Sequence, residues 1–226
     1  FEALSRFQGG ASPFQTIHMA EELALIETFD LAVAEKAIKR LKQPATTMIS
    51  LAINVSGTSL EGDGYISALL RMTSATPQIR NRLIVEVTES SALADLVAAN
   101  RRLKALKDVG IRLCIDDFGA GAASYDYIRG LAVDTVKIDG RFIQSIETDE
   151  KSRTLVAHLV DLCGSLKMTT IAEMIETEAT AEILRKLGVD HGQGWLFGRP
   201  QAEPSMRQGS ESMVTARRRG AVEAWG

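Results

Sequence analysis

Short runs of β-branched and apolar residues alternate along this chain with longer amphipathic stretches, and that alternation restricts the fold more than any other feature of the sequence. Residues 1–7, 48–55, 83–87, 111–115, 133–138 and 169–172 read as strands, with a weaker run over 192–197. Residues 17–41, 92–107, 152–166 and 179–187 read as helices. This is the signature of repeated βα units rather than of a sandwich or a bundle. Strands so apolar are covered on both faces, which fits a closed barrel or a doubly wound sheet. No GxGxxG or P-loop pattern follows the first run, so the expectation is an α/β fold of modified TIM-type (β/α) barrel design, with its active site at the carboxyl ends of the strands. The odd number of runs, with Glu2 to Phe7 already reading like the inside of a strand, suggests a barrel whose first strand lies outside this excerpt.

The 226 residues, 45% hydrophobic, suffice for one large core, so a single barrel over residues 1–205 is expected. From about Met206 the apolar period is lost and the basic run Arg217 to Arg219 appears, so residues 206–226 are expected to be a solvated terminal helix or frayed tail. A net charge of −3 gives no long-range field for a polynucleotide, so neither DNA nor RNA is expected as a partner, although a small nucleotide needs only local basic groups. Cys114 and Cys163 sit in apolar runs without metal-ligand spacing and read as reduced, buried thiols. No apolar run reaches the roughly 18 residues of a membrane span and no secretory signal is seen, so a cytoplasmic domain is expected, with any upstream anchor outside the excerpt.

Polar residues concentrate where the strands run out. Glu2 lies on the first run, Asn54 near the end of the second, and Glu86 and Glu89 at the end of the third. Asp116 and Asp117 end the fourth, Lys137 and Asp139 the fifth, Glu173 and Glu176 the sixth, and Gln193 lies in the last. Any one of these carboxylates is commonly a helix N-cap or a loop acceptor. Seven segments each delivering a carboxylate, amide or amine to one rim would crowd like charges together, and a divalent cation relieves that repulsion. An all-oxygen set of Glu, Asp and Asn suits magnesium or manganese better than zinc.

The adjacent Asp116 and Asp117 suit two ions, with Asp116 bridging, and two ions clamp both the attacking and the leaving oxygen of an in-line phosphoryl displacement. Lys137 among them would orient the attacking hydroxide or neutralise developing charge, and an ion pair with a neighbouring acid is compatible with that role. Arg6 is a phosphate-fork candidate. The sequence Asp117, Phe118, Gly119 also occurs in protein kinases, but no Gly-rich loop, VAIK lysine or HRD precedes it. Gly119 and Gly121 instead suggest a flexible loop that closes over the site, held by an acid such as Glu89.

Taken together, Glu2-Ala3-Leu4, Asn54 with Ser56, Glu86 with Glu89, Asp116-Asp117-Phe118-Gly119, Lys137 with Asp139, Glu173 with Glu176, and Gln193 through Pro200 resemble, in order, the EAL domain family of bacteria. The resemblance runs from Phe1 to about Pro200 and implies a modified TIM barrel of second-messenger signalling. Such a barrel binds cyclic di-GMP and, in active members, opens it to linear pGpG with two Mg²⁺ or Mn²⁺ ions. It implies Glu2, Asn54, Glu86, Asp116 and Asp117 as metal ligands, with Asp117 also at the substrate, and Glu173 and Glu176 in supporting or ligand roles. Lys137 would hold the nucleophilic water and Gln193 would join the inner shell. Glu89 would anchor the loop after Asp117, and Leu4 and Arg6 would touch the nucleotide. A homodimer through the helices after that loop is also implied; Tyr125 to Ile128 reads either as part of such a contact or as ordinary barrel packing.

Three departures from the family pattern bear on activity. Gln8 to Thr16 is short, with Pro13 its one proline; the loop after Asp117 reads Gly119-Ala120-Gly121-Ala122-Ala123-Ser124, without the usual threonine, tyrosine and second serine; and Met174 and Ile175 replace glycine and valine. Three readings follow. One is a cyclic di-GMP phosphodiesterase. Another is a weak or inactive domain that serves as a cyclic di-GMP receptor controlling a protein partner. The third is a barrel used purely for protein interaction, with neither ligand.

Overall fold

A computed structural model describes residues 1–7, 12–88, 95–119, 128–202 and 223–224, the last pair as backbone only. By its contacts the chain divides into two compact units, and the strand Arg112–Phe118 contributes its first half to one and its second half to the other.

One unit comprises Glu2–Ile115 and Ala123–Val133. Its strands β1 (Leu51–Val55) and β2 (Leu83–Thr88) pair in parallel, Leu51 beside Leu83 through Val55 beside Val87, and β3 (Arg112–Phe118) is next in hydrogen-bonded order. Helix Ile26–Leu41 turns a stripe of Ile26, Asp30, Ala34, Ala37, Ile38 and Leu41 inward, the spacing that puts residues on one helical face. Glu27 in its first turn and Lys39 and Arg40 in its last complement the helix dipole. Helices Gly57–Glu61 and Gly64–Ser74 follow β1, and the Ser56 side chain caps the first by accepting from the Thr58 amide. Asp95 caps helix Leu96–Asp108 in the same way, accepting from the Ala98 amide.

The other unit comprises Phe1, Asp116–Ala122 and Asp134–Gly226. After the second half of β3 come β4 (Thr135–Ile138), β5 (Thr169–Ala172), β6 (His191–Gly192) and β7 (Glu223–Ala224), in hydrogen-bonded order. The pairs β4–β5 and β5–β6 are parallel, and β6–β7 is antiparallel. Helix Gly140–Gln144 starts directly after β4, with Asp139 as its cap. Helices Glu150–Ser165 and Glu178–Lys186 precede β5 and β6 and are capped by Asp149 and Thr177. Their apolar faces meet the strands in a core of Ile138, Ile143, Ile146, Val156, Ala172, Ile175, Leu184 and Phe197.

The structure corrects several expectations. Residues 1–7 do not form a strand; Glu2 makes one parallel bridge to Ala52, and the Ala3 amide donates to the Ala52 carbonyl at 2.8 Å. The stretch 17–41 is two helices, Pro13–Glu22 and Ile26–Leu41, separated where Ala24 takes a left-handed φ of 53°. Chain reversals at such a point are usually marked by glycine, and here alanine gives no such signal. β3 runs three residues beyond its expected end, and the last run shrinks to the two residues of β6 because glycines and turns dominate it. Within the expected tail, Glu223–Ala224 pairs with β6 as a strand, Gly192 beside Glu223.

Candidate active site

In the first unit, three predicted residues meet at the end of β1. The parallel register sets Asn54 beside Glu86, and the Asn54 amide Nδ2 donates to Glu2 Oε1 at 2.9 Å. Glu86 is buried, while Glu2 and Asn54 are half-buried. The turn that follows is fixed from behind by Asp30, whose Oδ2 accepts from the Ser56 amide at 2.9 Å and from the Ser59 hydroxyl at 2.7 Å. Burial pushes the Asp30 carboxyl up to about 6, an effect opposed by these two hydrogen bonds and reinforced by Glu21 and Glu27. Sequence reasoning missed Asp30. The signal for it was a lone acid on the inward stripe of a helix. Leu4 and Arg6 are exposed, and Arg6 donates to the Ser5 carbonyl at 3.0 Å.

In the second unit, Lys137 is 1% exposed, and its Nζ lies 2.8 Å from Asp116 Oδ1 and 2.9 Å from Glu173 Oε1. The register explains the meeting: Lys137 stands beside Ile171 on β5, two residues before Glu173, and the Glu173 amide donates to the Ile138 carbonyl. Successive residues of a strand ordinarily point to opposite faces. A left-handed φ of 54° at Asp117 breaks that alternation, and Asp116, Asp117 and Glu173 each offer a carboxylate oxygen within 4.8 Å of the others. Such an oxygen cluster beside a buried ammonium has the donor chemistry of a hard divalent cation site.

The other predicted residues in this unit are less central. Gln193 is half-buried and anchors the end of β6 through its backbone, its amide donating to the Ala172 carbonyl and its carbonyl accepting from the Ile175 amide. Glu176 is exposed beyond the turn and stands outside the carboxylate cluster of Asp116, Asp117 and Glu173. Asp139 is a structural cap, accepting from the backbone and side chain of Arg141. Gly194 packs against the backbone of Ile175 so closely that a side chain there has no room. Trp195 is exposed beneath the Arg199 guanidinium, 4.6 Å from its ring centroid. Glu89, the loop over 120–124 and Tyr125 to Tyr127 lie outside the described residues, as do Gln8 to Ala11 and the tail over 203–222. Both cysteines are free and buried, and burial pushes the Cys163 thiol up to about 11, consistent with an inert side chain. Among the described residues, no helix is long and apolar enough to cross a membrane.

The EAL domain family matches residues 1–200 of the chain. The cyclic di-GMP phosphodiesterase PdeB of Shewanella oneidensis is 30% identical over 208 residues, which cover 91% of this chain and 24% of PdeB. The chain therefore spans about a quarter of that relative's length. Among solved structures, the PaMucR phosphodiesterase in complex with c-di-GMP superposes at a TM-score of 0.79 with 32% identity, covering 88% of this chain and 83% of that one. The manganese and cyclic di-GMP complex of Klebsiella pneumoniae BlrP1 superposes at 0.76 with 30% identity, covering 88% and 51%. The chain belongs to the EAL domain family, and its α/β fold is of the TIM-like class of these structures.

Proposed function

We propose that this chain binds cyclic di-GMP and hydrolyses one phosphodiester to give linear pGpG. The observation that carries the reading is the buried Lys137 amine held between the Asp116 and Glu173 carboxylates, in a family whose relatives include a phosphodiesterase solved with that nucleotide. A lysine so placed has a fixed direction, because two carboxylates hold it while the strand backbones hold them.

The oxygen donors fit a pair of Mg²⁺ or Mn²⁺ ions, with Glu2, Asn54, Glu86, Asp116 and Asp117 as the proposed ligands and Glu173 as a further carboxylate. Bound there, such ions supply Lewis acidity toward phosphoryl oxygens and water that ionises near neutral pH. The chain's own contribution is orientation and charge. Lys137 Nζ donates hydrogen bonds toward the attacking oxygen and offsets negative charge as it develops on the phosphoryl group. The Asn54 amide keeps the Glu2 carboxylate turned to the strand end. Leu4 and Arg6, both exposed, are proposed to meet the nucleotide, Arg6 through a phosphate oxygen. Glu176 and Gln193 are proposed to assist from the loops after β5 and β6, and Glu89 to hold the loop after Asp117. Of the proposed dimer segment 125–128, the described Ile128 is buried within the chain, which supports the packing reading there.

The test is incubation of the purified chain with cyclic di-GMP and Mg²⁺ or Mn²⁺, followed by separation of the nucleotides. Appearance of pGpG, abolished by Lys137→Ala, supports the enzyme. Binding without product would instead assign the chain to the receptor role with a protein partner.

A further inference from the structure

We infer that Met174 is a positioning residue for the Lys137–Glu173 pair, an inference that rests on the proposed hydrolysis only for its catalytic consequence. The backbone on either side of Met174 is tied down. The Glu173 amide donates to the Ile138 carbonyl at 3.4 Å, the Ile175 amide to the Gln193 carbonyl at 3.1 Å, and the Leu196 amide to the Ile175 carbonyl at 3.0 Å. Between these anchors Met174 takes a left-handed φ of 54°. An L side chain crowds the following carbonyl in that conformation, so a glycine would sit there with less strain. Strain of this kind persists where the surroundings over-determine the geometry, and it points to a use for the side chain.

The use is visible in what the thioether touches. The Cβ, Cγ and Sδ atoms of Met174 occupy the space where a side chain on Gly140 would stand, and among the described residues no other atom is as close to that position. Gln144 Nε2 donates to the same sulfur at 3.8 Å. Gly140 opens the short helix after β4, three residues beyond Lys137, and Gln144 ends it. Consecutive residues of the β5 end therefore make consecutive contacts with the β4 end: Glu173 pairs with the Lys137 amine, and Met174 seats on Gly140. The second contact resists sliding of β5's end along β4, which is the motion that would separate the amine from its carboxylate. Half of the Met174 side chain is exposed, so its burial alone gives it little reason to be there.

The experiment compares the chain with its Met174→Gly, Met174→Ala and Met174→Leu variants, the parent and each variant with and without Gly140→Ala, without metal and well below the melting temperature. Acylation of Lys137 by an amine-reactive ester is followed by mass spectrometry. Met174→Gly and Met174→Ala are expected to label at Lys137 about fivefold faster, and Met174→Leu within about twofold of the parent. Gly140→Ala is expected to speed labelling in the parent, where it displaces the thioether, and to add nothing to Met174→Gly. If Met174→Ala does not fold, Met174→Gly decides, because glycine relieves the left-handed strain. In a parent that turns over, Met174→Gly should lower kcat about tenfold with KM nearly unchanged. Unchanged labelling of Lys137 in folded Met174→Gly, or additive effects of the two substitutions, would overturn the assignment. A parent that labels as expected but makes no pGpG contradicts the hydrolysis and leaves the assignment standing.

Discussion

Lys137 Nζ stands 2.8 Å from Asp116 Oδ1 with almost none of the lysine side chain exposed, so the charge of β4 and the charge at the end of β3 depend on one another. Breaking a buried pair from one side leaves an uncompensated ion. Lys137→Met keeps the length of the side chain and removes the ammonium from both Asp116 and Glu173. It should lower the unfolding free energy by about 3–5 kcal/mol in metal-free buffer, measured by urea denaturation. Mn²⁺ should then raise the melting temperature of the variant more than that of the parent, because the freed carboxylates gain a cation only when folded.

Asp30 predicts a pH dependence of stability. Its folded pKa of about 6 lies above the ordinary 3.8, so the fold favours the protonated form. The stabilisation this confers is complete below about pH 4 and is lost as the pH rises to about 6. Asp30→Asn keeps an acceptor for Ser56 and Ser59 and has no charge to desolvate. Relative to the parent it should therefore gain up to about 3 kcal/mol on going from pH 4 to pH 7, read as the difference between two urea titrations. A constant difference across that range would show that Asp30 is not responsible.

Gly194 tests the support of the β5 and β6 ends. A methyl group at this position meets the Ile175 backbone, which is held by Gln193 and Leu196 and cannot step aside. Gly194→Ala should destabilise the chain by about 2–4 kcal/mol in thermal or urea unfolding. A variant that melts with the parent would mean that this turn has room the geometry does not show.

Much of this was legible in the sequence, and the exceptions have local causes. The runs at β1, β2 and β5 are dense in β-branched and apolar residues, so their positions followed within a few residues. Residues at their ends were legible because polar side chains stand out against such runs. The break at Ala24 is not, since alanine is a strong helix former and carries no turn signal, yet it takes a left-handed φ just ahead of the buried Ile26. The first residues fail as a strand because one bridge at Glu2 is all the pairing they make among the described residues. Asp30 looked like an ordinary helix residue until burial revealed its partners. Met174 stands out in the sequence as a departure from the family pattern, but its backbone conformation and its seat on Gly140 are three-dimensional facts with no counterpart in spacing.

Glu2 offers a separate check on the proposed ligand set. Glu2→Gln preserves an oxygen for the Asn54 amide and removes the charge, so stability should stay within about 0.5 kcal/mol of the parent. Mn²⁺ affinity, measured by titration calorimetry without nucleotide, should fall about 10-fold or more. Equal affinity would remove Glu2 from the set.

The most direct test of the central claim is product formation from cyclic di-GMP by the purified chain with Mg²⁺ or Mn²⁺. The expected result is linear pGpG, its loss on chelation, and a fall in rate of about 100-fold or more for Lys137→Ala with nucleotide binding retained. Binding at micromolar nucleotide with no pGpG at either metal would contradict the hydrolysis, and no binding at all would contradict both the enzyme and the receptor.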